Sequence, residues 1–118
     1  MSVMTAPYTT DAAQAQATSR RLRSDLKGFD PYVWAVGCGY AARNVNLKSP
    51  VNSALFIVRL SDGVSWLFPG SLDAPRIAWG PPIGATCDEL FTSVEAADGV
   101  TEIARIRLDS LGPGTPPD

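Results

Sequence analysis

Between residues 11 and 27, Ala12, Ala15, Ser19, Leu22 and Leu26 recur at alternating spacings of three and four, so they share one face of a helix. Thr9 or Thr10 offers a capping hydroxyl before it. Asp11 lies at the positive end of the macrodipole, Arg20, Arg21, Arg23 and Lys27 lie towards the negative end, and Gly28 can stop the helix. The face is narrow and its side chains are mostly small, which suits close packing across a sheet or against a second copy of the helix.

Further on, the period changes from that of a helix to that of a strand. In residues 32–40, Tyr32, Trp34, Val36, Cys38 and Tyr40 fall on one side, while Gly37 and Gly39 leave part of the other side bare and predict a bend. Residues 43–52 are polar, contain Pro50 and read as a loop. Residues 53–60 form a strand, Asp62-Gly63 reads as a two-residue hairpin turn, and residues 64–68 return. That register sets Leu60 opposite Ser65, Arg59 opposite Trp66, Val58 opposite Leu67 and Ile57 opposite Phe68, with Arg59 able to stack on the Trp66 ring. Both faces of the pair are apolar, so it belongs in the middle, covered by the helix on one side and by another layer or subunit on the other.

Residues 69–75 form a turn-rich link, and a short strand at 76–79 is expected to stop at Gly80-Pro81-Pro82. Residues 87–94 carry two signals. Thr86 with Glu89 fits a helical capping box, whereas Leu90, Thr92 and Val94 alternate as in a strand. The strand, preceded by a turn, is preferred because Ala104, Ile106 and Leu108 alternate with Ile103, Arg105 and Arg107 downstream. A three-residue loop of Ala97-Asp98-Gly99 then sets Thr92 opposite Ala104 and Leu90 opposite Ile106, leaving Arg105 and Arg107 facing water or a partner. The pattern predicts a single α+β domain over residues 9–111, with one N-terminal amphipathic helix packed on a mainly antiparallel sheet of about five strands. An arm at 1–8 and a Gly/Pro-rich tail at 112–118 flank it.

Composition narrows the chemistry. The 118 residues are 45% hydrophobic and 19% charged, the profile of one folded domain with an ordinary core. A net charge of -2 supplies no field for a phosphate backbone, and the Arg20, Arg21, Arg23 and Lys27 cluster is already accounted for by the helix end, so nucleic acid is not the expected partner. No apolar run approaches the roughly 20 residues of a membrane span. The first residues lack the apolar core of a secretory signal, so a cytoplasmic protein is expected.

With no histidine, nucleophile–histidine catalysis in its usual form is excluded. Cys38 and Cys87 lack CxxC spacing and are expected as two buried thiols, although one disulfide is open to them in an oxidising compartment. The 80–84 loop lacks the lysine of a phosphate loop, and no cofactor or metal is implied.

Three tryptophans are many for so small a core. Trp34, Trp66 and Trp79, with Arg105 and Arg107, are therefore the candidate partner-binding residues. The expected function is a non-catalytic protein-binding or assembly subunit, of accessory, inhibitory, immunity or structural kind, whose partner is another protein or itself. The alternative is a small ligand-binding or enzymatic domain using Cys38, activated by a cation such as Arg43, or the carboxylates Asp73, Asp88 and Glu89.

Overall fold

The computed structural model describes residues 3–5, 12–22, 34–46, 53–70, 77–96 and 99–117. In chain order these form β1 (Val3–Thr5), α1 (Ala12–Leu22), β2 (Ala35–Gly37), β3 (Tyr40–Asn46), β4 (Ser53–Arg59), β5 (Ser65–Pro69), β6 (Ile77–Ala85), β7 (Glu89–Ala96) and β8 (Thr101–Arg107), followed by a 3-10 turn at Leu108–Ser110. The fold is α+β as expected, but its strands make two four-stranded sheets rather than one sheet of about five. An inner sheet runs β2-β3-β4-β5 and an outer sheet β1-β8-β7-β6. Among the described residues every strand pairing is antiparallel except β1 with β8.

The inner sheet is apolar on both faces because both are covered. Positions 54–58 of β4 are all buried. Ala54, Phe56 and Val58, with Ala41, Val45 and Leu67, pack under Ala15 and Leu22 of α1 and under Trp34, whose ring meets Phe56 edge-on at 6.3 Å. Leu55 and Ile57, with Ala42, Trp66 and Phe68, form the opposite core against Trp79, Leu90, Val94, Ala104 and Ile106 of the outer sheet. The layers are therefore helix, sheet, sheet, and the second cover expected for the β4–β5 pair is the outer sheet of the same chain. On the helix, Ala15, Thr18, Ser19 and Leu22 are buried. Ala12, expected on that face, is exposed, and Leu26 lies outside the described residues.

Several local expectations are corrected. The bend anticipated at Gly37 and Gly39 is a full reversal: Gly37 pairs with Tyr40, and Cys38 and Gly39, with φ of 40° and 89°, form the two-residue turn between β2 and β3. The chain then runs as β3 to Asn46, through the start of the expected 43–52 loop.

The β4–β5 hairpin closes with four residues, not two. Arg59 and Val64 are joined by a backbone bond, and the pairs are Val58 with Ser65, Ile57 with Trp66 and Leu55 with Phe68. Asp62 sets this longer loop: its carboxylate holds the Arg59 guanidinium at 2.7–3.1 Å and accepts the Val64 amide, and Gly63 takes φ 76°. A slip of two residues keeps every side chain on its expected face. Arg59 accordingly still lies over the Trp66 ring, 5.5 Å from its centroid.

Gly80-Pro81-Pro82 does not stop a strand. β6 continues through it with two register shifts, at the edge of the outer sheet, where a missing amide donor leaves no ladder bond unmade on the open side. The strand preferred over a helix is β7, Glu89–Ala96, with Cys87 and Asp88 in the turn before it, and Thr86 caps that turn instead of a helix, accepting the Asp88 and Glu89 amides. The β7–β8 register matches expectation, Thr92 with Ala104 and Leu90 with Ile106; Gly99 has φ 79°, and Ala97 and Asp98 lie outside the described residues.

The tail is tied to its own domain. Ser65 and Thr115 exchange backbone bonds of 2.9 and 2.8 Å along the β5 edge, and Gln16 of α1 donates to the Pro116 carbonyl. Gly114 sits so close to Trp66 that a Cβ there would lie 2.7 Å from the ring.

Candidate interaction surface

The three indoles expected at a partner surface are inside. Trp34, Trp66 and Trp79 are 5%, 2% and 4% exposed. Three layers give two cores, which is how a short chain encloses them: Trp34 lies in the helix-side core, Trp66 and Trp79 in the core between the sheets. The Trp66 N–H is satisfied by the Gly112 carbonyl at 3.1 Å, and the Arg43 guanidinium lies 5.4 Å over Trp34. The Trp79 indole N–H is buried without a hydrogen-bond partner.

Cys38 and Cys87 are exposed and joined to each other as a disulfide, not two buried thiols. Their Cα atoms are 4.8 Å apart, on the β2–β3 turn and the turn before β7, so the bond ties one sheet to the other. Gly37 permits the approach, since a Cβ there would lie 2.9 Å from that of Ala85. The sulfur of Cys38 is thus not a free thiolate beside Arg43. Beneath this junction is a gap lined by Ala35, Tyr40, Ala42, Ala85, Leu90 and Leu108, of about 10 Å³, room for one water.

Of the acidic candidates, Asp88 is exposed in the turn, Glu89 is engaged by Arg105, and Asp73 lies outside the described residues. Among the described residues no three His, Cys, Asp or Glu side chains converge on a metal position. No helix in the described residues is long and apolar enough to cross a membrane.

Arg105 and Arg107 point outward from β8 and are exposed. They belong to a larger feature, the outward face of the outer sheet. Leu90, Thr92, Val94, Ala104 and Ile106 face the core, so Glu89, Phe91, Ser93 and Glu95 on β7 and Ile103, Arg105 and Arg107 on β8 face away from it. No described element lies over them.

Across the two strands Glu89 stands opposite Arg107, Phe91 opposite Arg105, and Ser93 opposite Ile103. Arg105 reaches diagonally to Glu89, donating from its Nε and one Nη to the two carboxylate oxygens at 2.9 and 2.8 Å. That hydrogen bonding, reinforced by the charges of Arg105 and Arg107, holds the Glu89 carboxyl below its ordinary range and raises the Arg105 guanidinium. Arg107 contacts Asp109 at 3.0 Å. On β6, Gly84 pairs with Phe91 and has open space where a side chain would stand, and Ile83 is 58% exposed. The surface holds two half-buried apolar side chains, Phe91 and Ile103, on neighbouring strands, flanked by paired charges of both signs.

Phe91 was missed by the sequence reading, and Glu89 was read as a cap or an acid–base carboxylate and not as part of this face, although the signal was present. Once Leu90, Thr92 and Val94 are assigned to the core, period two obliges residues 89, 91, 93 and 95 to share the other side.

Comparison with known proteins adds no relative: no family model, no curated protein and no solved structure matches the chain.

Proposed function

We propose that the chain is a non-catalytic binding or assembly module that works through the outward face of its outer sheet. One observation carries this reading: the inner sheet is covered on both sides, whereas the outer sheet presents Phe91 and Ile103 beside Arg105, Arg107 and Glu89 with no described element over them. Partly apolar sheet faces bordered by charge suit contact with another macromolecular surface. The gap bordering the Cys38–Cys87 turns has room for one water only, about 10 Å³. A Cys38–Cys87 bond persists best in an oxidising compartment.

The test replaces Phe91 and Ile103 together by Lys and compares the immobilised variant with the parent chain in native extract. Its fold is checked by circular dichroism and melting. We expect the variant to lose what the parent retains. Equal retention by both would remove this face as the working surface.

A further inference from the structure

We infer that the occupant of this face is a second copy of the same chain, related by a two-fold axis running parallel to the strands between β7 and β8. The inference rests on the binding-face reading above and goes beyond it in naming the partner. Its basis is the distribution of charge across the register. Glu89 on β7 and Arg107 on β8 stand at one level, and Phe91 on β7 and Arg105 on β8 at the next.

A two-fold axis along the strands exchanges left for right and keeps the level. It lays β7 of one copy over β8 of the other, so Glu89 meets the second copy's arginine 107 and Phe91 meets its arginine 105, each contact occurring twice. The face is complementary to itself in this orientation. A two-fold axis across the strands would reverse the levels and set Glu89 over the glutamate at position 95, a repulsive arrangement.

Arg107 and Asp109 have side chains 71% and 70% exposed, so the second copy can reach Arg107, while Glu89, 23% exposed and held by Arg105, keeps that bond and offers its carboxylate to the second copy's arginine 107 as well. Stacked sheets sit about 10 Å apart with their strands turned by roughly 30°, a separation Phe91 and Ile103 can fill. Gly84 leaves space beside Phe91 for a side chain of the second copy.

Area sets the strength. At about 3.3 Å per residue and 4.8 Å between strands, the four strands offer a footprint of roughly 400 Å². Even with side-chain relief this lies at the low end for specific interfaces, so the dimer should be weak, on the order of micromolar.

The experiment is a sedimentation-velocity dilution series on the parent chain, on Glu89→Arg, on Arg107→Glu, and on an equimolar mixture of the two variants, each first shown to be folded by circular dichroism. Either variant alone sets like charges against each other twice. The mixture restores an arginine over a glutamate at both contacts. We expect a parent dimer that dissociates in the micromolar range, single variants weakened at least about tenfold, and a mixture that dimerises again.

A parent dimer unaffected by either substitution, or a mixture that stays monomeric, would overturn the arrangement. A parent monomeric at the highest concentration would overturn self-association. If the Phe91/Ile103 variant still loses a retained foreign protein in that case, the binding-face reading survives without it.

Discussion

Trp66 and Gly112 are 46 residues apart in sequence and joined by one hydrogen bond, from the indole N–H to the glycine carbonyl at 3.1 Å. The bond fastens the C-terminal strap to the ring on which Gly114 also rests. Trp66→Phe removes the donor and part of a side chain only 2% exposed. We expect a loss of about 2 kcal/mol in urea unfolding, from the hydrogen bond and the vacated volume together. The Thr115 amide, bonded to Ser65, should exchange its hydrogen faster.

Gly37→Ala tests the closeness of the two sheets at their tied end. The new methyl would lie 2.9 Å from the Ala85 Cβ and 3.0 Å from the Thr86 carbonyl oxygen, and neither is the end of a flexible side chain. Overpacking of this kind costs about 1–3 kcal/mol. Gly84→Ala is the control: nothing stands within 4 Å of its Cβ position, and its melting temperature should stay near that of the parent.

Removing the disulfide should be more damaging than either change. Cys38 and Cys87 are 49 positions apart, and closing a loop of that size restricts the unfolded chain by about 4 kcal/mol in the chain-entropy description. That is a large share of the roughly 5–15 kcal/mol that holds a domain together. Unfolding with and without a reductant, and of the paired Cys38→Ser and Cys87→Ser variant, measures it.

Acid should weaken the fold through two carboxylates. Asp62 is held below its ordinary 3.8 by hydrogen bonds from Arg59 and then from the Val64 amide, and Glu89 below its ordinary 4.5 chiefly by Arg105. The unfolded chain therefore binds these protons first as pH falls. The stabilisation is fully present above about pH 4.5 and drains away as pH drops through the lower folded values. Asp62→Asn with Glu89→Gln should flatten this part of the stability–pH curve while leaving the fold at neutral pH.

Which face each strand residue occupies was legible in the sequence, because it depends only on period two. Leu55, Ile57, Trp66 and Phe68 share one core, and β7 meets β8 in the register set by Gly99. Where the chain turns was harder to read. Cys38-Gly39 lacks the asparagine or aspartate that usually precedes glycine in such a turn, so a reversal looked like a bend. Asp62-Gly63 had the right residues, but the bond Arg59 donates to Asp62 draws two more positions into the loop.

The partition into two sheets was not legible, since nothing in the local pattern shows that β6 starts a second sheet instead of pairing with β5. The prolines of β6 read as a stop only while their place at a sheet edge is unknown. The aromatic surplus points outward only for a chain with one core, whereas this fold makes two, and Phe91 is marked only by the period it shares with its buried neighbours.

β1 pairs with β8, and the strap at residues 112–117 closes the edge of β5 and touches α1. The first strand thus waits for the last, and the helix for the strap. During synthesis β1 and α1 leave the ribosome long before their partners exist, so neither the parallel pair nor the strapped edge can form until residues 101–117 have cleared the exit tunnel. The hairpins between consecutive strands can form as they emerge, whereas the closing β1–β8 pair and the Ser65–Thr115 bridge, which join distant residues, should form last.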